Sequence, residues 1–209
     1  MLPENYKERI TAAIEAFKNW KWVLLLDDAT RENECDVIFA AQSITPEQMA
    51  LLIRECSWIV CLVITQEKAQ QLELEMMVKN NESKFTTGFT VSIEAKNGIT
   101  TWVSAVDRVT TIKTAIAWNA QPSDISKPGH VFPLVAREWW VSDRRWHTEW
   151  SYDLVKLAWL TPYAVLCELM NPDGTMASID DIESFSKKYE MPILTIEDIA
   201  RYKKENTIF

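Results

Sequence analysis

Ten consecutive residues, Asp27-Asp28-Ala29-Thr30-Arg31-Glu32-Asn33-Glu34-Cys35-Asp36, put five carboxylates and one guanidinium into a short connection between two apolar runs, residues 22–26 and 37–41. Short apolar runs bounded by charge read as buried strands, so the cluster is expected on a loop at strand ends. A solvated helix face would instead spread such residues at i, i+4 spacing. Two readings of the loop stay open: an acidic surface turn, or a set of oxygen ligands gathered around a hard cation.

The rest of the chain alternates helix and strand. Residues 6–17 form an amphipathic pattern, with Ile10, Ala13, Ile14 and Phe17 on one face, feeding the strand 22–26. Thr45-Pro46-Glu47-Gln48 is a helix start, with a Thr cap, Pro at the first position and Gln at the third. Residues 59–64 read as a buried strand, and residues 89–93 alternate with period two, as a strand with one polar face does. Asn97-Gly98 predicts a hairpin turn into a strand over 99–104. Helices are expected over 109–117 and 148–160, the second capped by Thr148, then a strand over 164–170 and a turn at Asn171-Pro172-Asp173-Gly174. Ser178 and Thr195 look like two further caps, with the strand 193–195 between them. No repeat, linker or low-complexity stretch divides the sequence. The expectation is one α/β (α+β) domain over residues 1–209, a mixed β-sheet flanked by helices.

Composition narrows the function. With 209 residues, 47% of them hydrophobic and 25% charged, the chain can bury its own core. A net charge of −8 argues against a nucleic-acid surface, so an anionic ligand needs a local Arg, metal or backbone site. No run is long and apolar enough for a membrane span, and the first residues lack the apolar segment of a secretion signal, so a cytoplasmic protein is expected. Cys35, Cys56, Cys61 and Cys167 have neither CxxC spacing nor His partners at zinc-finger intervals, and read as buried or incidental thiols.

The chain has two histidines, His130 in Lys127-Pro128-Gly129-His130 and His147 in Arg144-Arg145-Trp146-His147-Thr148. The second stands beside a predicted helix N-terminus, where backbone N–H groups favour anions. A phosphate held there by Arg144 and the Thr148 hydroxyl would bring its carbon skeleton within reach of His147 and a metal.

Taken together these motifs resemble the 3,4-dihydroxy-2-butanone 4-phosphate synthase family of riboflavin biosynthesis. The matching stretches include Asp27-Asp28, Arg31-Glu32-Asn33-Glu34 with Asp36, Glu47-Gln48-Met49-Ala50, Thr87-Gly88-Phe89-Thr90-Val91, Asp107-Arg108, residues 128–134, His147-Thr148-Glu149, Leu166-Cys167-Glu168-Leu169 and Asp173-Gly174-Thr175-Met176-Ala177. The resemblance covers nearly the whole chain. It implies a lyase that converts ribulose 5-phosphate to 3,4-dihydroxy-2-butanone 4-phosphate and formate, as a homodimer with its sites at the subunit interface. It implies magnesium, or manganese in its place, with two ions per site held by Glu32 and His147. Arg31, Glu32, Asp36, Arg144, Arg145, Trp146, His147, Thr148 and Glu168 would contact the substrate. His130, Glu168 and Asp36 would carry catalysis, the two carboxylates moving protons while the ions stabilise an enediolate. An end at Phe209 leaves no length for the cyclohydrolase domain fused to some relatives, so a monofunctional protein is expected.

Glycine is scarce. Four are present, against about fifteen at the average usage of ~7%, while tryptophan reaches ten. Trp20, Trp22, Trp58, Trp102, Trp139, Trp140, Trp146 and Trp159 stand where the family typically carries glycine, as do Cys35, Cys56 and Arg145, with Trp150 another candidate. Two accounts are open. UGA codons read as glycine in the source have been written as tryptophan, or the chain is a glycine-poor variant acting as a sugar-phosphate-binding, metal-binding or dimer-partner protein.

Overall fold

Side-chain caps fix where most of the helices begin. The structure, a computed structural model, describes residues 5–27, 34–136 and 147–206. Helix α1 (Tyr6–Lys18) starts behind Asn5, whose side chain accepts the Lys7 N–H at 3.0 Å. Helix α2 (Pro46–Glu55) opens on the expected capping box, in which the Thr45 hydroxyl accepts the Gln48 N–H and the Gln48 side chain accepts the Thr45 N–H. Two of the amides that a helix leaves without internal partners are thereby satisfied. Thr65 caps the short α3 (Gln66–Gln71), and Ser104 caps α4 (Ala105–Ile116). Helix α5 spans His147–Leu157. Ser178 forms a second capping box with Asp181 at α6 (Ile179–Tyr189), and Thr195 and Asp198 exchange bonds at α7 (Ile196–Asn206).

Seven strands form one mixed sheet among the described residues: β1 (Val23–Leu26), β2 (Cys35–Ala40), β3 (Cys61–Ile64), β4 (Ile93–Ala95), β5 (Ile125–Val135), β6 (Ala164–Glu168) and β7 (Ile193–Thr195). Their spatial order is β4-β5-β3-β6-β2-β1-β7, with β3–β5 and β1–β7 parallel and the other pairs antiparallel. Strands β1, β2 and β3 are buried at every residue, as a sheet covered on both faces requires. Alternate residues then serve two cores. Leu24, Val37, Phe39, Leu62 and Val165 pack with Met49, Ala69, Ile112 and Ile182 from α2, α3, α4 and α6. Leu25, Ile38, Val63 and Leu166 pack with Ile10, Phe17, Leu154 and Ile199 from α1, α5 and α7. The result is a three-layer α/β/α arrangement in which one fully buried side chain such as Phe39 contributes roughly 2–3 kcal/mol.

Several expectations need correction. Asn97-Gly98 does turn, with Gly98 at φ +78, but no strand follows over 99–104. That segment is tied instead to a carboxylate: Asp107 accepts the N–H groups of Thr100 at 3.0 Å and Thr101 at 2.8 Å. The strand expected over 89–93 begins only at Ile93, and α4 starts four residues ahead of the expected helix. The long β5 and the short α3 were not anticipated. Asp36 belongs to strand β2 rather than to the acidic loop, and Thr148 lies inside α5, so it is not that helix's cap.

Candidate active site

A row of register partners crosses the sheet at one end. Leu25 on β1 stands opposite Asp36 on β2, and Asp36 stands opposite Glu168 on β6. Asp36 is two residues from Ile38 and Glu168 two from Leu166, both of which belong to the core beneath α5. Strand alternation therefore turns both carboxylates toward that face. His130 on β5 continues the pattern. It precedes Phe132 by two residues, Phe132 is in register with Cys61, and Cys61 with Leu166. Asp36, Glu168 and His130 thus occupy the same end of the same face, on three different strands.

Helix α5 brings His147 down onto this row. Its ring is buried, with Nε2 3.2 Å from the Leu25 carbonyl oxygen and Nδ1 3.8 Å from Asp36 Oδ2. With the proton on Nε2 and donated to Leu25, the Nδ1 lone pair faces a carboxylate oxygen at a spacing too long for a hydrogen bond. Two electron-rich atoms so arranged suit a proton or cation between them. A backbone carbonyl fixing the far nitrogen is the usual support for a metal-binding imidazole. The residues present therefore fit one nitrogen ligand of a divalent ion, with oxygen donors needed to complete it. Among the described residues no group of three or more His, Cys, Asp and Glu could hold a metal on its own.

Glu168 is fixed by Ser57, whose hydroxyl donates to Glu168 Oε2 at 2.5 Å and whose N–H donates to the Glu168 carbonyl at 2.9 Å. The His130 Nδ1 pairs with the buried carboxylate of Glu94 on β4. Gly129 makes this pairing possible, because a Cβ there would lie 2.1 Å from the Ile93 backbone. Nearby, Arg108 is buried and ties two loops together, donating from Nε to the Val103 carbonyl and from Nη1 to the Trp58 carbonyl. Burial would raise the neighbouring Asp107 carboxyl, but hydrogen bonds from the Thr101 and Thr100 backbone and from the Ser104 and Thr101 hydroxyls outweigh it and hold it at about 2.

Cys35, Cys56 and Cys61 are unsuited to this chemistry. All four cysteines are free and buried, and burial drives Cys35 and Cys61 well above the usual thiol range. Cys56 is raised by its hydrogen bond with Cys167 and by burial. Neutral thiols neither attack nor ligate.

Of the residues singled out in the sequence, Asp36, Glu168 and His147 converge, Thr148 is buried in the first turn of α5, and His130 stands apart with Glu94. Arg31, Glu32, Arg144, Arg145 and Trp146 lie outside the described residues. Sequence reasoning missed Ser57 and Glu94. Glu94 extends the period-two run that begins at Phe89, so its face was readable although its partner was not.

Fold and register define an α/β protein with a cluster of ionisable side chains at one end of its sheet. The family model of 3,4-dihydroxy-2-butanone 4-phosphate synthase matches residues 11–202. The synthase of Shewanella halifaxensis is 58% identical over 199 residues, covering 95% of this chain and 94% of the relative, and that of Photobacterium profundum is 58% identical over 204 residues, covering 96% and 90%. A synthase solved in complex with two magnesium ions superposes with a TM-score of 0.89 at 38% identity, over 96% of this chain and 99% of the other. A two-domain synthase from A. baumannii gives a TM-score of 0.88 at 40% identity over 93% of this chain, which spans 57% of that longer protein. The chain belongs to the 3,4-dihydroxy-2-butanone 4-phosphate synthase family of enzymes.

Proposed function

We propose that the protein converts ribulose 5-phosphate to 3,4-dihydroxy-2-butanone 4-phosphate and formate in riboflavin biosynthesis. The observation that carries this reading is the row of Asp36 and Glu168 under the buried His147, at one end of one face of the sheet. The reaction removes the C3 proton, loses the C1 hydroxyl as water, rearranges the skeleton and, with water returned, expels C4 as formate. The carbons and oxygens balance without a co-substrate, so the protein's task is to move protons and steady developing negative charge.

Asp36 and Glu168 are the proton carriers in this reading. Ser57 keeps one Glu168 oxygen oriented by its hydroxyl. His130, held by Glu94 on the same face, is the third catalytic group. Arg31, Arg144, Arg145, Trp146 and Thr148 bind the sugar phosphate. Glu32 and His147 would hold two magnesium ions, or manganese, which would supply Lewis acidity toward developing negative charge. A relative solved in complex with two magnesium ions supports magnesium as the ion.

The enzyme is proposed to work in the cytoplasm as a homodimer with its sites at the interface; no described helix is long and apolar enough to cross a membrane. Exposed Ile59, Val103 and Val106, around the Arg108 tie and close to Ser57, supply an apolar surface for the partner. The test is formate release from ribulose 5-phosphate with magnesium, before and after chelation, on the protein and on Glu32→Gln. Turnover that survives chelation removes the metal assignment, and absence of formate in every condition removes the reaction.

A further inference from the structure

We infer that positions 20, 58, 102 and 159 are glycine in the functional polypeptide, the codon written as tryptophan at each being read as glycine where the protein is made. The ground is backbone geometry. Trp20, Trp58, Trp102 and Trp159 have φ of 59°, 55°, 68° and 61°. This is the left-handed region, where a bulky L-residue is an outlier and glycine is at home. They make up four of the seven described tryptophans, whereas Glu73, Thr86 and Glu190 are the only others among the described non-glycine residues.

Two of the four occupy one defined turn. After α1 the Trp20 N–H donates to the Phe17 carbonyl and the Lys21 N–H to the Ala16 carbonyl, at 3.0 and 2.8 Å. After α5 the Trp159 N–H donates to Lys156 and the Leu160 N–H to Val155, at 2.9 and 3.2 Å. This paired bonding is the Schellman helix end, whose left-handed residue is usually glycine. Glu73 and Glu190 follow helices at left-handed φ as well, so a side chain is tolerated there. What needs explaining is the recurrence of one large residue type.

The indoles gain nothing by being there. Their residues are 64%, 62%, 55% and 90% exposed for Trp20, Trp58, Trp102 and Trp159. Ordinary divergence at left-handed positions favours Asn or Asp, whose short side chains fit that conformation. A single bulky type at four separated sites points to one codon read two ways. Trp22 marks the contrast: its ring packs edge-on against Phe39 and Tyr189, its N–H donates to the Tyr189 carbonyl, and its backbone makes no such demand. The inference is restricted to the four sites for that reason.

The experiment is tandem mass spectrometry of peptides spanning these positions, from protein isolated from its own source. Glycine at all four is expected, and tryptophan at any one overturns the inference. This readout is independent of the reaction proposed above. A second measurement uses protein made with tryptophan at the four positions, and its W20G/W58G/W102G/W159G and all-alanine counterparts, compared by thermal unfolding. The glycine variant should unfold at the highest temperature of the three. An alanine variant that matches it would mean these sites make no demand for glycine, and would overturn the structural ground.

Discussion

At the site end of the sheet, two adjacent strands carry the same dipeptide pattern, Cys35-Asp36 on β2 and Cys167-Glu168 on β6, and the pleat sends the members of each pair to opposite faces. The acids face α5 and its buried histidine. The thiols face the α2–α4–α6 side, among Val37, Leu52 and Leu169. The paired backbone is shared, so the difference comes from what covers each face. One cover brings a helix start and an imidazole, while the other is mainly apolar, with the Ser57 hydroxyl 3.3 Å from Cys167 Sγ as a polar exception.

The largest effect should come from breaking this pairing on its acid side. Glu168→Gln keeps the shape and is expected to lower formate release by about 10²–10⁴-fold, while Cys167→Ala leaves turnover near that of the parent and costs roughly 1–2 kcal/mol of stability. Comparable loss of turnover from both, in steady-state assays, would mean that the two faces do not divide the work. Next in size is Ser57→Ala, which removes the hydroxyl bond to Glu168. Loss of a hydrogen bond to a charged group of about 1.5 kcal/mol corresponds to roughly tenfold in kcat. A fall in KM alone would assign Ser57 to another role.

The pH limits of stability sharpen the comparison. Cys35 and Cys61 titrate above the ordinary 9.0 when folded, so their contribution is full below pH 9 and declines above it, as unfolded thiols ionise and folded ones cannot. Denaturant midpoints should fall beyond pH 9, without thiolate absorbance in the folded protein. Asp107 behaves in the opposite sense. Held at about 2 against an ordinary 3.8, it contributes above pH 3.8 and loses that contribution as pH falls toward 2. Asp107→Asn should flatten the acid limb of the midpoint curve; an unchanged limb would assign it to other carboxylates. This is the smallest expected effect.

Strands β1, β3 and β6 and the caps of α2, α6 and α7 follow from local patterns, because burial on both faces and short polar caps leave marks within a few residues. The three-layer class was legible for the same reason. Asp36 was misassigned because a carboxylate on the last inward position of a strand looks, in one dimension, like the end of an acidic loop. The segment after Gly98 was misread because its turn is local, whereas what holds the next residues is the Asp107 carboxylate, supplied by the start of α4. Strand β5 was hidden by Lys127-Pro128-Gly129-His130, which reads as a break although a bulge in the pairing with β4, opposite Ile93 and Glu94, accommodates it. The match of Glu168 to Asp36 needs register, and register is a tertiary fact.

The parallel pairing of β1 with β7 joins Leu24 to Ile193, nearly the full length of the chain apart. Such a contact closes late, since the entropy of the intervening loop must be overcome before the pairing is rewarded. A ribosome delivers α1 and β1 well before β7 and α7. Until then the apolar face of α1 that ends against Ile196 and Ile199 has no permanent cover. The newborn chain therefore passes through an interval of exposure to aggregation, and the speed at which the residues between α1 and α7 are synthesised sets how long that interval lasts.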